Sequence, residues 1–504
     1  YFVKKNIKIL LLYPPEQSWP GNVCKPNGSL AYPYLGGALR EIGVDVYVYD
    51  ACVGNEEDKL EDFFDKSTKL PSGLLRTGVS EERILEVVEK YDAIGITSIF
   101  SQQETQVLNC AKLIKKRYPS KILFSGGVNA KSRSSFFFAA GFDIICTSES
   151  EVTIKQIAKV LESGTNDFSK VGKIYYKNQS NKIVDNSHFG EIVLDLDKLP
   201  IPAWDLLPNE RYWEISRPHA GQIKPGTKLR YASMMTSRGC PFACSYCHIA
   251  DEVEGSKSGP IGKFRIKSDE RVREELNILK NDIGVKQVYI EDDSIFGMKR
   301  RAIRLLKSII GFGLELLDVN GINMVHLVKK SNKAGWMVPD EEVIELLAEV
   351  GFTEITVPFE SGSYRILKKW CSNKLPLDRF DPAKLIQTIK KYKINVASNY
   401  MIGFPDETRS EIDSTVNLAK QMHQYGVASN FSLVQPVPGT PIFDYCMKNG
   451  QMAEDYDPDK FQWMKANLIN TVVPPKELEK IRNQAWHDCN SDEFVKVRKS
   501  WAKS

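Results

Sequence analysis

From residue 6 to about 162 the chain alternates short apolar, β-rich runs with stretches whose apolar positions recur at helical spacing. The runs IKILLLY (7–13), VDVYVYD (44–50), DAIGITS (92–98), KILFSGG (121–127) and DIICTS (143–148) predict strands, and SLAYPYLGGALREIG and QQETQVLNCAKLIKKRY predict helices between them. Strands that alternate with helices argue for a parallel, doubly wound α/β sheet, on which ligands sit at the carboxyl ends of the strands. This first domain is expected over 1–165.

Residues 163–230 lose that rhythm. A hairpin is expected at KIYYKNQSNKIVD, followed by LDKLPIPAWDLLP, whose prolines and extended character predict a linker over 166–230. From 231 to 445 the alternation resumes with YASMMTS, KQVYIED, ELLDVNGIN, EITVPFE, NVASNYMIG and NFSLVQP, separated by helical stretches such as DEEVIELLAEVG. Six such βα units predict a barrel or partial barrel with its functional residues at the C-terminal ends of the strands. The tail, 446–504, reads as mostly helical.

A length of 504 residues exceeds one ordinary domain, and 42% hydrophobic with 26% charged residues describes a chain that is folded throughout. A net charge of +4 with no concentrated basic stripe argues against a nucleic-acid partner. The opening YFVKKNIKILLLYPP has lysines before an apolar run, as a secretory signal does, but the run ends in Pro-Pro without a small-residue cleavage site. It predicts a buried first strand. No stretch approaches the roughly 20 apolar residues of a membrane span, so a soluble, cytoplasmic protein is expected. Seven of the ten cysteines are scattered singly and make no disulfide framework.

The other three fall together in SRGCPFACSYCHIA, as Cys240, Cys244 and Cys247, directly after the first strand of the second α/β region. Three thiolates at this spacing can wrap one metal centre. A structural zinc takes four protein ligands, and the adjacent His248 is a candidate for the fourth, although a residue next to a ligand usually points away. An iron–sulfur cluster is also normally held by four cysteines, so three would leave one iron open to a substrate.

CPFACSYC, with the aromatic Tyr246 before the last cysteine, resembles the signature of the radical S-adenosylmethionine (SAM) superfamily. The resemblance implies a [4Fe–4S] cluster on Cys240, Cys244 and Cys247, with SAM chelating the fourth iron through its amino and carboxylate groups. One electron from the cluster, supplied by an external flavodoxin- or ferredoxin-type reductant, would cleave SAM to a 5′-deoxyadenosyl radical. Four more segments resemble the family in chain order. EDDSIF (291–296) makes Glu291 and Asp292 candidates for the methionyl amino group, where relatives more often carry glycines. PFESGSYRILK (358–368) offers Glu360 and Ser361 to the ribose or carboxylate, YMIGFPDET (400–408) would lie along the adenine at Gly403, and QPVPGTPIFD (435–444) would close the barrel. Each also has a structural reading as a helix cap or turn.

An N-terminal flavodoxin- or Rossmann-like domain joined through LPIPAWDLLP to such a barrel resembles the cobalamin-binding branch of the superfamily. By that resemblance Tyr13, Pro14 and Pro15 after the first strand, Ser98 after the third, and Gly126 and Gly127 after the fourth would surround cobalamin. The DxHxxG motif of many cobalamin domains is replaced by YPPEQSWPG, which leaves His188 or His219 as possible lower ligands to cobalt, and TSESE (147–151) stands where the family has an acidic GEGE-like segment. The implied cycle spends one SAM on methylating cob(I)alamin and another on the radical, giving C-methylation of an unactivated, sp³ carbon of a small molecule or peptide.

Three rivals are open: ring closure or rearrangement with the same two cofactors, a zinc-stabilised scaffold without activity, and methylthiotransferase-like sulfur insertion. The last needs further cluster cysteines, and Cys24, Cys52, Cys110 and Cys146 are far apart in sequence. Specificity is expected in the 210–230 loop and the tail, with Trp213, Arg217, Trp336 and Trp370 as candidate lining residues beside their reading as packing residues.

Overall fold

The computed structural model describes residues 6–22, 24–217, 229–331, 335–372 and 377–501. The chain divides into two compact units, the first formed mainly by Tyr1–His219 with Glu252–Ile261, the second by Ala220–Asp251 with Gly262–Ser500.

The first unit is built on β1 (Lys8–Tyr13), β2 (Asp45–Asp50), β3 (Ala93–Thr97), β4 (Ile122–Gly126), β5 (Ile144–Cys146), β6 (Ile174–Lys177) and β7 (Ile183–Asp185). They lie in the order β7-β6-β5-β4-β3-β1-β2. β1 to β5 are parallel, and β6 and β7 add antiparallel at one edge. The unbroken apolar run of β1 follows from burial on both faces. Leu10 and Leu12 pack with Ile84, Val88, Val107 and Ile114 of the helices Glu81–Glu89 and Glu104–Arg117. Ile9 and Leu11 pack on the other side with Ala38, Leu39, Ile154 and Ile157 of the helices Ala31–Glu41 and Glu151–Ser163.

Two features depart from the sequence reading. The expected hairpin pairs through β6 with β5, so this part of 166–230 extends the first sheet instead of linking two domains. The segment that follows is anchored as well: Ala203 N–H donates to the Pro33 carbonyl at 2.8 Å, and Trp204 is buried. Residues 252–261, expected within the barrel, belong to the first unit, where Lys131 Nζ reaches Glu252 at 3.2 Å and Ser148 Oγ donates to the Ser258 carbonyl at 2.6 Å.

The second unit carries six parallel strands, β8 (Tyr231–Met234), β9 (Gln287–Ile290), β10 (Glu315–Asp318), β11 (Phe352–Thr356), β12 (Asn395–Ile402) and β13 (Ala428–Leu433), side by side in chain order. The connections include the helices Asp269–Asn277, Lys299–Ser308, Glu341–Val350, Pro382–Lys391 and Arg409–His423. All the carboxyl ends therefore face one way, and the cysteine loop leaves the first of them.

The tail is helical over Pro475–Asp488 and Asp492–Trp501, with irregular chain before it. Val473 and Leu478 pack with Ile402, Ile412 and Leu433. The tail also closes the open edge of β13, where unpaired backbone groups would otherwise be exposed to another strand. Asn490 Oδ1 accepts from Ser429 N–H at 2.9 Å, its Nδ2 donates to the Ser429 carbonyl at 2.8 Å, and Arg482 Nε donates to the Phe431 carbonyl at 2.8 Å. One side-chain amide replaces a neighbouring strand.

Asn490→Ala leaves both backbone groups of Ser429 buried without these partners, and the expected loss of stability is about 1–3 kcal/mol per unsatisfied group. Denaturant unfolding of the variant beside the parent chain measures it, and a change within about 0.5 kcal/mol, the range of neutral surface substitutions, would refute this role for the amide.

Candidate functional site

The cysteine loop has little regular structure of its own, so other elements must position its thiols. Its root is held by the two aspartates after β9. The buried Asp292 carboxylate accepts from Thr236 N–H at 2.6 Å, Thr236 Oγ1 at 2.6 Å and Ser237 Oγ at 2.5 Å. Asp293 Oδ2 accepts from Gly239 N–H at 2.9 Å. Burial raises the Asp292 pKa, opposed by these three donors and by the positive charge of Arg301. Arg301, itself buried, donates to Thr236 Oγ1 at 3.0 Å and to the carbonyls of Thr236 and Lys267 at 2.8 and 3.0 Å. Lys267 completes the support in a buried ion pair with Glu275 at 2.5 Å.

Gly239 has φ of +81°, and a Cβ there would meet the Lys263 carbonyl oxygen at 2.4 Å. Only glycine satisfies both conditions. Immediately after it, Cys240 N–H donates to the Gly262 carbonyl at 3.1 Å.

The far half of the loop is tied to later strands. Ser245 N–H and Oγ both donate to the Trp370 carbonyl, at 3.0 and 2.9 Å, and Ala243 N–H donates to Ser372 Oγ at 3.1 Å. Ile442 N–H, in the QPVPGTPIFD segment, donates to the Ser245 carbonyl at 2.9 Å. Tyr246 Oη donates to Glu360 Oε1 at 2.8 Å. Glu360 is buried and has φ of +60°, an unfavourable conformation for a side chain with a Cβ. Its N–H donates to the Asn399 carbonyl and its carbonyl accepts from Met401 N–H, so pairing to β12 fixes it there. Segments separated by some 200 residues of chain thus converge on one loop.

Cys244 is buried, and Cys240 and Cys247 are half-buried. Burial pushes the Cys247 thiol up to about 12, so its thiolate requires a cation beside it. Two thiolates on one zinc stand about 3.8 Å apart, because each Zn–S bond is about 2.3 Å. Among the described residues the three 240–247 thiols do not all lie within 4.8 Å of one another, and neither do His248 and any two of them. As they stand, these three sulfurs are spaced more widely than the ligands of one tetrahedral zinc.

The other candidates in this unit divide into two groups. Asp292, expected to meet the methionyl amino group, spends its carboxylate on the root of the loop, whereas Glu291 stays partly exposed beside it. Ser361, expected near the ribose or carboxylate, is fully buried, shares a hydrogen bond with Thr415 Oγ1 at 3.1 Å and accepts from Ser363 N–H at 3.1 Å. Glu360 does reach the loop, through Tyr246.

Gly403, with φ of +84°, donates its N–H to Glu407 Oε2 at 2.6 Å, and Phe404 N–H donates to the same oxygen at 3.2 Å. Burial outweighs these donors and raises the Glu407 carboxyl to about 8. Trp370 is buried and gives its indole N–H to Asp406 at 2.9 Å. Trp213 is also buried, Arg217 lies over the Phe64 ring, and Trp336 is exposed. Arg301, Asp293 and the Ser245 contacts escape sequence reasoning because no local pattern marks them.

In the first unit the candidates lie at the carboxyl ends of β1, β3 and β4. Pro14 and Pro15 are buried, and the Tyr13 hydroxyl lies near Glu16, Asp50 and Cys52. Ser98 is buried and accepts from Asn129 Nδ2 at 3.0 Å, and that amide also donates to Glu104, the partner of Arg133. A Cβ on Gly127, whose φ is +105°, would meet the Ser98 carbonyl oxygen at 2.4 Å. Gly127 therefore serves the chain crossing itself. Gly126 is different: a Cβ there would meet Cys146 Cβ at an ordinary 3.5 Å, and Ile99 and Phe100, which follow Ser98 in the chain, are exposed. His188 is exposed after β7, at the edge of the sheet farthest from β1 and β2, and packs on Phe189. His219 lies outside the described residues.

Residues 234–419 match the radical SAM superfamily model. This stretch is a radical SAM domain. Along nearly its whole length the chain is similar to an uncharacterized methyltransferase of Pyrococcus horikoshii, at 28% identity over 94% of this chain and 89% of that one. It is also similar to the cytidylyl-2-hydroxyethylphosphonate methyltransferase of Streptomyces wedmorensis, at 25% identity over 98% and 92%. Among solved structures, the fold is like that of the radical SAM methyltransferase TsrM from Kitasatospora setae, with a TM-score of 0.62, 14% identity and coverage of 95% of this chain and 82% of that one. The cobalamin-dependent radical SAM enzyme OxsB gives a TM-score of 0.67 at 15% identity over 98% and 70%.

Asp292→Asn turns one acceptor oxygen into a donor facing the three donors of Thr236 and Ser237. Iron per chain after anaerobic reconstitution is expected to fall at least several-fold, and full retention of iron would separate Asp292 from the loop. A carboxyl whose folded pKa lies above its unfolded value stabilises the fold below the unfolded pKa, and that contribution is lost as pH rises through the folded one. For Glu407 this window runs from about 4.5 to about 8. Glu407→Gln should therefore flatten the decline in stability across it, as read by denaturant midpoints at several pH values.

Proposed function

We propose that the protein is a cobalamin-dependent radical SAM methyltransferase that methylates an unactivated carbon, with cobalamin on the first unit and the [4Fe–4S] cluster and SAM on the second. Support comes above all from the anchored three-thiol loop at the carboxyl end of β8, within a radical SAM domain, in a chain that aligns end to end with methyltransferases. When bound, the cluster, SAM and cobalamin would supply a radical to open a C–H bond and a methyl group to replace it.

The residues of this chain bind and orient. Cys240, Cys244 and Cys247 would ligate three irons and leave the fourth to SAM. Tyr246 and Glu360 hold the last turn of the loop, and Glu291, which stays partly exposed, and the backbone at Gly403, directly after β12, are the remaining parts of the expected SAM site. In this reading the six parallel strands form a partial (β/α)6 barrel over 231–445, and the five parallel strands of the first unit form a flavodoxin-like sheet. Their order 5-4-3-1-2 reverses between β1 and β3, where such sheets bind ligands. Gly126, Ile99 and Phe100 fit a large, partly apolar ligand there, and cobalt would have no lower histidine from the segment after β1.

The partners in this reading are a small-molecule or peptide substrate and an external one-electron reductant. Among the described residues no helix is long and apolar enough to cross a membrane. A second reading rests on the similarity to an anaerobic magnesium-protoporphyrin IX monomethyl ester cyclase of Cereibacter sphaeroides, 21% identical over 94% of this chain and 68% of that one. It keeps both cofactors without methyl transfer.

The deciding experiment is anaerobic reconstitution with iron, sulfide and cobalamin, followed by SAM and a chemical reductant. Four irons and one cobalt per chain are expected, with formation of both 5′-deoxyadenosine and S-adenosylhomocysteine. Deoxyadenosine without S-adenosylhomocysteine would favour the second reading. Replacing Cys240, Cys244 and Cys247 together by alanine should abolish the iron and the deoxyadenosine, and persistence of either would overturn both readings.

A further inference from the structure

The first unit holds a second convergence of sulfur and oxygen that the proposed chemistry does not use. Glu16 opens a short strand, Glu16–Ser18, that pairs with Leu75–Thr77. Cys24 precedes the helix Ala31–Glu41, and Cys52 lies two residues after the end of β2. Although distant in sequence, the two sulfurs lie 3.6 Å apart, and Cys24 Sγ is 2.8 Å from Glu16 Oε2. One ligand atom from each of the three residues lies within 4.8 Å of the others. Both cysteines are 1% exposed.

We propose that Glu16, Cys24 and Cys52 bind one zinc ion that pins the segment after β1 to the end of β2. Two thiolates on a tetrahedral zinc are about 3.8 Å apart for bonds of about 2.3 Å, so the sulfurs need almost no adjustment. Glu16 needs to retreat by less than an ångström, since a zinc-bound oxygen and sulfur are about 3.5 Å apart. The fourth position falls to the second Glu16 oxygen or to water. Binding releases the two thiol protons to solvent.

The surroundings are acidic: Asp50 accepts from Cys52 N–H at 2.8 Å and from Tyr212 Oη at 2.7 Å. That contact fixes the backbone of one ligand. A dication would compensate a buried cluster of carboxylates and thiolates that is otherwise costly to ionise. The spacing is that of ligands to one ion, which the three 240–247 thiols together do not meet.

The test uses the full chain, reconstituted with its cluster, incubated with one equivalent of zinc and passed through a desalting column, with iron and zinc counted together. One zinc beside four irons is expected. Cys24→Ser with Cys52→Ser should keep the irons and the cluster absorbance while zinc falls below a tenth per chain. Glu16→Gln should lose zinc at least tenfold more readily to a competing chelator, which keeps the test decisive if the double variant misfolds. Zinc below a tenth in the parent chain overturns the proposal, as does zinc unchanged in the variants. Iron beyond four that disappears with Cys24 and Cys52 overturns it in favour of a second cluster. A deficit of two thiols in the denatured parent overturns it in favour of a disulfide.

Discussion

The hydrogen bonds from Thr236 and Ser237 to the Asp292 carboxylate carry the site, because an eight-residue span with three cysteines has no fold of its own. Without a helix or strand to set their directions, the thiols take their positions from whatever the loop is tied to. Asp292 and Asp293 define where it starts, Gly239 lets the backbone turn against the Lys263 carbonyl, and Glu360, Trp370 and Ile442 hold its far end. The buried carboxylate is tolerable because each of its contacts is a hydrogen bond and Arg301 lies beside it. A loop built this way is held wherever it is tied, by residues far from it in sequence.

Parallel sheets impose the same logic on both units. β1 to β5 run in one direction and so do β8 to β13, so the loops that follow them gather at one end, and the buried faces must be covered by helices. Residues after successive strands therefore become neighbours without being near in sequence. This explains how Glu16, Cys24 and Cys52 meet in the first unit, and how Tyr246 meets Glu360 in the second. It also explains why an edge needs closing, a task that falls to Asn490 and Arg482 of the tail.

The strands were legible because apolar runs buried on two faces look alike wherever they occur, as in Ile9–Leu12 and Val288–Ile290. The hairpin at 174–185 was legible as a hairpin but not as part of the first sheet, since edge pairing is a long-range event with no local signature. Asp292 was visible as a polar residue after a strand, yet its duty to Thr236 was not. Residue type and position mark a candidate, and only the neighbours decide whether its polar atoms face a ligand or the protein. The same holds for Ser98, Ser361 and Gly127, each occupied internally.

By itself the sequence determined the alternation of strand and helix, and with it two parallel α/β units, because periodicity is a local consequence of which faces are buried. It determined the three-thiol motif too, since ligand spacing in a single loop is a property of contiguous residues. The tertiary structure decided which carboxylates are spent on scaffolding, which segments belong to which unit, and which scattered cysteines stand together. Those outcomes depend on contacts between residues far apart in the chain, and their distances follow only when the sheets have formed.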